Sequence, residues 1–266
     1  MDILAFFAHP DDETMFSGGM LALLARQGAA VHYLCATRGE GGEAGEPPLS
    51  TREDLGPVRA KELACAVEAL GGRSLAFLDY TDPSIGPDES LYPYAGDLAD
   101  VAARLVRIVR QVRPQAIITH GANGEYGHPA HVLCYQAASQ AVAWLAGSAP
   151  LLYCVSAAFP EHPKPRHVNR DQPAHLVLDV TAAMPQKIAA AMCHRTQHAL
   201  FVRRASQAAG RKVTVPEVLL SLESLHRALP PVAAGVNDPV AALLAPWRID
   251  PKELPARQPG DENLFV

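Results

Sequence analysis

Features typical of membrane, secreted and nucleic-acid-binding proteins are missing from this sequence. No stretch reaches the roughly 18 apolar residues of a membrane span. Met1 leads directly into an apolar run, with no basic segment or cleavage site before it, so we expect no secretory signal. No run of Lys or Arg exceeds two residues, and the formal net charge is −5 at pH 7. We therefore expect neither nucleic acid nor a membrane as partner.

Cysteine is sparse, and its spacing shows no pairing motif. The five cysteines are Cys35, Cys65, Cys134, Cys154 and Cys193, and no two of them form a C-x-x-C pair. Their odd number and wide spacing predict small core residues in place of a disulfide framework or a cysteine metal site. We therefore expect the protein to be located in the reducing environment of the cytoplasm.

What is present is a regular alternation of short apolar runs and helical patterns. The 266 residues, 48% hydrophobic and 19% charged, suit one globular domain with a sizeable core. We predict strands over 2–8, 30–36, 74–78, 115–119 and 151–155, and helices over 14–27, 52–70, 97–112 and 130–146. This alternation predicts an α/β fold with a Rossmann-like, mostly parallel sheet flanked by helices.

The pattern changes after residue 160. Residues 160–173 are predicted as loop, 175–180 as a strand, and 184–205 and 216–228 as helices. The last stretch contains seven prolines from residue 230 on and little periodicity. We therefore predict a domain over 1–228 and a Pro-rich, helical or extended arm over 229–266, packed on the body or, in a homo-oligomer, on a neighbouring subunit.

Two polar clusters follow predicted strands. The hexapeptide A-H-P-D-D-E occupies residues 8–13, after the first strand, and H-P-A-H occupies residues 128–131, beyond the strand at 115–119. Open α/β sheets bind their ligands at the carboxyl ends of parallel strands. The two clusters are therefore expected to meet in one pocket.

These clusters supply ligands for a divalent metal ion. His9, Asp12 and His131 form a set of three that leaves a position open for water, as in catalytic zinc sites. The adjacent carboxylates of Asp11 and Asp12 at a buried edge repel each other, and a cation is the usual compensation. Two histidines, one aspartate and water also suit Fe²⁺.

Three further residues near these ligands are candidates for catalysis. Asp11 is free to take a proton from water, although it is also placed to cap the following helix. His128 is a candidate donor to an oxyanion or to a leaving amine. Tyr126 is a second donor, or alternatively a packed loop aromatic.

The chain resembles the LmbE-like, or PIG-L, family of zinc-dependent N-acetylglucosaminyl deacetylases. The resemblance covers roughly residues 1–228. It is carried by A-H-P-D-D-E at 8–13, Gly18-Gly19, Thr37-Arg38-Gly39-Glu40, Arg59 with Glu62, N-G-E-Y-G-H-P-A-H at 123–131, and Lys187 with His194 and Gln197.

The resemblance implies a role for each matching residue. It places one Zn²⁺ per chain on His9, Asp12 and His131. It implies Asp11 as general base, His128 and Tyr126 around the oxyanion, and Arg59 as a substrate-binding residue. The family's second motif usually reads H-P-D-H, and Ala130 here replaces its aspartate.

The expected function is hydrolysis of the N-acetyl group of a small N-acetylglucosamine-type conjugate, which releases acetate and a free amine. One alternative is a non-catalytic, metal-containing sugar-binding protein, which Ala130 favours and the spare carboxylate of Asp11 opposes. Another is a receiver-like domain with magnesium on Asp11 and Asp12. The neighbouring histidines oppose it, since magnesium prefers oxygen ligands.

Overall fold

Five parallel strands form most of a seven-stranded central sheet. A computed structural model describes residues 1–255 apart from 87, 89, 233 and 234. The strands are Asp2–Phe7 (β1), Ala30–Thr37 (β2), Ser74–Tyr80 (β3), Ala116–Thr119 (β4), Leu151–Val155 (β5), Ala157–Ala158 (β6), Asn169–Pro173 (β7), Leu176–Asp179 (β8) and Leu222–Leu229 (β9). The order in the sheet is β3-β2-β1-β4-β5-β9-β8, and β6 pairs separately with β7. Only β9 runs antiparallel to its neighbours β5 and β8, so the predicted mostly parallel α/β fold is confirmed.

Helices cover both faces of this sheet. They are Asp12–Arg26 (α1), Leu55–Ala69 (α2), Leu98–Val112 (α3), Gly124–Gly127 (α4), Pro129–Leu145 (α5), Met184–Cys193 (α6), His198–Ala209 (α7), Val215–Val218 (α8) and Pro239–Leu244 (α9). In the part of the chain that the structure describes, none of them is long and apolar enough to cross a membrane.

The alternation of side chains along β1 divides the core into two layers. Ile3, Ala5 and Phe7 face a cluster that includes residues of α1, α2, α6 and α9. Leu4 and Phe6 face the other cluster, which includes residues of α3 and α5. Because successive side chains of a strand point to opposite faces, one apolar run of five residues in β1 supports both layers.

The strand order places a crevice at the end of β1. From β1 the chain winds outward through β2 to β3, whereas β4 pairs with the other edge of β1 and leads on to β5. This reversal is the topological switch point at which doubly wound sheets bind ligands. The segments that follow β1 and β4 carry the two polar clusters predicted to form the site.

The predicted helix over 216–228 is wrong. Residues 215–218 form the short α8, and 222–229 form β9, which pairs with both β5 and β8. Leucines spaced three or four apart favoured a helix, but pairing between two strands outweighs this local pattern. The predicted helix over 184–205 is likewise divided, since His194 separates α6 from a 3₁₀ turn and α7.

The expectation that no disulfide forms is also wrong. Cys65 on α2 and Cys193 at the end of α6 are joined, whereas Cys35, Cys134 and Cys154 are free and buried as predicted. The bonded pair is 128 residues apart in sequence. Its pairing follows from the packing of α2 against α6, which no local spacing reveals.

The described part of the C-terminal arm packs on the body. Val236, Val240 and Leu244 are buried in the same core cluster as β1 and α1, and Arg248 forms an isolated bridge with Leu178 of β8. Asp238 caps α9 by accepting hydrogen bonds from two backbone N–H groups. Residues 256–266 lie outside the described residues, and the boundary at 228/229 stays a prediction.

A buried ion pair ties α1, α6 and β9 together. Lys187 Nζ lies 2.8 Å from Glu223 Oε1, and both side chains are almost fully buried. Glu223 also accepts hydrogen bonds from the backbone N–H groups of Gly19 and Met20. A Cβ at Gly19 would lie 2.4 Å from Val180 Cγ2, so this close approach requires the glycine of the Gly18-Gly19 motif.

We expect Lys187→Met to destabilise the protein by about 3–5 kcal/mol, because it leaves the Glu223 carboxylate buried without its counter-ion. Chemical denaturation measures this change. Arg211→Met is the matched control, since Arg211 pairs with Glu217 at exposed positions and its loss should barely move the midpoint. Equal effects of the two substitutions would contradict the expectation.

Candidate metal and catalytic site

The aspartate pair lies where β1 turns into α1. Asp11 is the residue before the first turn of α1, and its φ of 116° is in the left-handed region, which costs a non-glycine residue free energy. Its carboxylate makes no capping hydrogen bond, so the capping alternative fails. Instead, the Asp11 backbone N–H donates to Glu13 Oε2 at 3.0 Å, which leaves the Asp11 carboxylate free of the helix.

Arg59 on α2 holds this turn from the other side. Its guanidinium donates to the carbonyl oxygens of Gly39 and Pro10 and lies 3.2 Å from Asp11 Oδ2. Arg59 is only 3% exposed. The structure therefore places it against the predicted base, and its predicted contact with substrate stays a prediction.

Asp12 is the centre of the site. Its Oδ2 lies 3.2 Å from His9 Nδ1 and 3.3 Å from His120 Nε2, and its Oδ1 lies 3.3 Å from His131 Nε2. Asp12 Oδ2 also accepts the backbone N–H of His9. The three residues predicted as metal ligands are thus in one place, together with a fourth residue, His120, that lies outside both predicted clusters.

Glu125 orients two of these histidines. Its Oε2 lies 2.7 Å from His131 Nδ1 and 2.9 Å from His120 Nδ1. Its Oε1 accepts the Gly121 backbone N–H and the amide of Asn169. A carboxylate that accepts from Nδ1 places the proton there and leaves Nε2 unprotonated, as is usual for a metal-binding histidine.

The two oriented histidines differ at Nε2. His131 Nε2 is buried, has no hydrogen-bond partner among the described residues and lies 3.3 Å from Asp12 Oδ1. His120 Nε2 accepts the backbone N–H of Ala8 at 3.1 Å. His131 therefore has a free ligand atom, and His120 is already satisfied by the protein.

His128 and Tyr126 line the open side of the site. The His128 ring stacks on His131 at 4.4 Å and lies 4.8 Å from His9. Its Nδ1 accepts the backbone N–H of Ala130, so the neutral ring carries its proton on Nε2. The Tyr126 ring is 47% exposed and lies 5.5 Å from the His131 ring. Phe16 closes the inner side, 5.9 Å from His131.

Negative charge dominates this pocket. Burial raises the pKa of Asp11 to about 6, although Arg59 opposes the rise. Burial alone would lower the pKa of His9, but Asp12 and Asp82 outweigh it and raise this pKa to about 9. Asp82, in the loop after β3, lies 3.4 Å from His9 Nε2 and was not foreseen. Such a surplus of carboxylates is the usual environment of a bound cation.

The arrangement fits a divalent metal. Two groups of three residues could each hold a metal ion, since the ligand atoms within each group lie within 4.8 Å of one another. One group is His9, His128 and His131, and the other is Asp12, His120 and His131. His131 belongs to both, and its unpartnered Nε2 is the atom that a cation would satisfy. Imidazole and carboxylate together suit zinc or iron better than magnesium.

The comparison with known proteins agrees with this chemistry. Residues 4–142, more than half of the chain, match the model of the family described as PIG-L, GlcNAc-PI de-N-acetylase. The chain belongs to the PIG-L family. The matched segment contains both polar clusters, so the family assignment rests on the segments that form the site.

Named relatives are deacetylases. The 1D-myo-inositol 2-acetamido-2-deoxy-α-D-glucopyranoside deacetylase of Kineococcus radiotolerans is 33% identical, over 89% of this chain and 79% of that protein. The enzyme of the same name from Streptomyces scabiei is 39% identical over 52% of this chain and 47% of its own length. The match therefore spans about half the length of that second relative.

A solved structure with a similar fold belongs to an enzyme of different activity. GalB, the 4-carboxy-2-hydroxymuconate hydratase of Pseudomonas putida, superposes with a TM-score of 0.59 and 25% identity, over 89% of this chain and 99% of that one. The same fold is therefore found with more than one reaction of water.

We expect Glu125→Gln to weaken metal binding by about 10–100-fold, the usual effect of removing the group that orients a ligating histidine. A glutamine places an N–H₂ where two imidazole N–H groups now donate. Equilibrium dialysis against Zn²⁺ measures the affinity, and Glu68→Gln on the exposed face of α2 is the control. Unchanged affinity in the Glu125 variant would show that His131 is oriented by other contacts.

Proposed function

We propose that this chain is a metal-dependent amide hydrolase that removes the acetyl group from an N-acetylglucosamine-type conjugate. The observation that carries the proposal is the buried, unpartnered Nε2 of His131 facing the Asp12 carboxylate, with Asp11 beside it. The proposed metal ligands, the carboxylate of Asp11 and the two donors His128 and Tyr126 thus lie together at the switch point of the sheet. A small amino-sugar conjugate as substrate and a cytoplasmic location belong to the same proposal.

We assign the metal to His9, Asp12 and His131. His9 Nδ1 and His131 Nε2 each lie within 3.3 Å of an Asp12 oxygen. His120 is the less suitable ligand, because its Nε2 accepts from Ala8. The bound ion, zinc or iron(II), would supply Lewis-acid activation of the amide carbonyl and of the attacking water.

The chain's own residues would move the protons. The Asp11 carboxylate accepts a proton from the attacking water, since it is held by Arg59 but makes no capping hydrogen bond. His128 Nε2–H and the Tyr126 hydroxyl donate to the oxyanion that forms on the acetyl carbonyl. The proton then passes from Asp11 to the amine as the C–N bond breaks, releasing acetate and the free amine.

A second candidate reaction is hydration of a double bond. The likeness to GalB, a hydratase at 25% identity, is the observation that favours it. Water addition also needs a base beside activated water, so the site geometry serves both reactions. The deacetylase relative at 33% identity over 89% of the chain favours amide hydrolysis.

An amine-release assay over a panel of N-acetylglucosaminides, with and without a chelator, tests the proposal. We expect chelator-sensitive release of a primary amine and acetate in equal amounts. Hydration of an unsaturated carboxylic acid without amine release would replace the proposal with the second candidate. Binding of the sugars without either reaction would favour the sugar-binding alternative.

The ligand assignment predicts a difference between two stacked histidines. His131→Asn, His9→Ala and Asp12→Ala should each lose most of the bound metal, since three protein ligands leave no substitute. His120→Asn should still bind one equivalent at saturating zinc. Elemental analysis after gel filtration measures the content. Loss of metal in His120→Asn but not in His9→Ala would assign the ion to Asp12, His120 and His131 instead.

Asp11→Asn should keep the metal and lose about 10²–10⁴-fold in kcat, typical of removing a general base. The amide has the same shape and retains a contact with Arg59, but it accepts no proton from water. Metal content and the melting temperature serve as controls for folding. Activity within a few-fold of the unsubstituted protein would exclude Asp11 as the base.

A further inference from the structure

A group of basic side chains lies just outside the proposed site, next to Tyr126. The His167 ring lies 5.3 Å from the Tyr126 ring, on the loop between β6 and β7. The same loop, residues 159–168, carries Lys164 and Arg166, and its single acid is Glu161. Since Tyr126 also contacts His131, this loop forms a wall beside the histidine cluster.

Helix α7 adds another cation to this wall. Lys164 Nζ donates to the Val218 carbonyl oxygen of α8 at 3.3 Å, and Val218 packs on Val202 and Ala205 of α7. The loop and α7 are therefore neighbours. Arg204 lies between these two α7 contacts in sequence and is exposed.

The two exposed arginines of this wall have no anionic partner among the described residues. Neither Arg166 nor Arg204 has a carboxylate within ion-pair distance among the described residues, whereas the adjacent Arg203 forms a bidentate pair with Glu43. The positive charges of this wall also affect a side chain next to the pocket, His167. Burial lowers the pKa of His167 to about 4, and Lys164 and Arg204 lower it further, so this ring is a neutral hydrogen-bonding group beside two or more cations.

A buried carboxylate lies on the opposite side of the cleft. The loop after β3 places Asp82 beside His9, and the Asp82 backbone N–H donates to Glu40 of the loop after β2. The order β3-β2-β1-β4-β5 puts these loops on one side of the switch point and the β6–β7 loop on the other. The Asp82 carboxylate is therefore on the opposite side of the histidines from the β6–β7 loop, so an anionic group of a substrate is favoured beside that loop.

We propose that Lys164, Arg166, His167 and Arg204, here called the basic cluster, bind a carboxylate or phosphate on the part of the substrate beyond the glucosamine ring. The preferred conjugate then has an anionic aglycone, and a neutral polyol is the poorer substrate. Guanidinium groups suit both anions, because they donate two parallel hydrogen bonds. This inference rests on the proposed deacetylase function and specifies its substrate class.

Three glucosides that differ only in charge test the inference. They are the 2-acetamido-2-deoxy-α-D-glucosides of glycerol, of glyceric acid and of glycerol phosphate. We expect kcat/KM for amine release to be about tenfold higher for an anionic substrate than for the neutral one, mainly through KM. The carboxylate and phosphate arms show which anion the cluster prefers. The preference should shrink at high salt, because Arg166 and Arg204 are exposed.

The variant Arg166→Gln/Arg204→Gln should lose this preference and keep its rate on the neutral glucoside. Arg110→Gln is the matched control, since it removes an exposed arginine near the end of α3, at the amino edge of the sheet. No preference in the unsubstituted protein, or a preference that survives the double substitution, would overturn the inference.

The experiments distinguish an error in the proposed reaction from an error in the proposed anion site. If none of the three glucosides is deacetylated, this result opposes the proposed reaction. Binding of the corresponding free-amine glucosides then tests whether the basic cluster binds an anion. Calorimetry should then show tighter binding of the anionic amine products, lost in the double variant and kept in Arg110→Gln. Equal affinities for neutral and anionic products would reject the basic cluster as an anion site.

Discussion

Negative charge buried at the carboxyl end of β1 is the constraint on which the rest of the site depends. Five carboxylates are buried around this point, those of Asp11, Asp12, Glu13, Asp82 and Glu125. Like charges at such distances are unfavourable unless cations or hydrogen-bond donors balance them. Arg59 on α2, His131 on α5 and His194 after α6 each bring such a group to one of these carboxylates.

The support extends to residues far away in sequence. His194, after α6, lies 2.9 Å from Glu13 Oε1, and Glu13 in turn accepts the backbone N–H of the strained Asp11. Thr196 donates to Glu62 on α2 through both its backbone N–H and its hydroxyl, one turn after Arg59. The late segment of the family resemblance therefore has a physical role, since it holds the turn that presents the proposed base.

Much of the fold and of the site could be predicted because the signals are local. Apolar runs bounded by turns gave the parallel strands, and polar residues directly after β1 located the pocket. His120 directly follows β4 and could have been selected by the same rule. Asp82 could not, because it lies in a long polar loop without periodicity. Strand β9 was mistaken for a helix because its environment, between β5 and β8, is set by tertiary pairing.

Ala130 shows how a departure from a family motif is absorbed by the backbone. Its side chain is fully buried in the apolar cluster with Leu4 and Phe6. Its backbone N–H donates to His128 Nδ1 at 3.2 Å. This contact fixes the tautomer in which Nε2 carries the proton, and it requires no carboxylate at this position. A neutral donor suits an oxyanion that forms beside a cation, because it stabilises the negative charge without adding a second positive charge next to the metal.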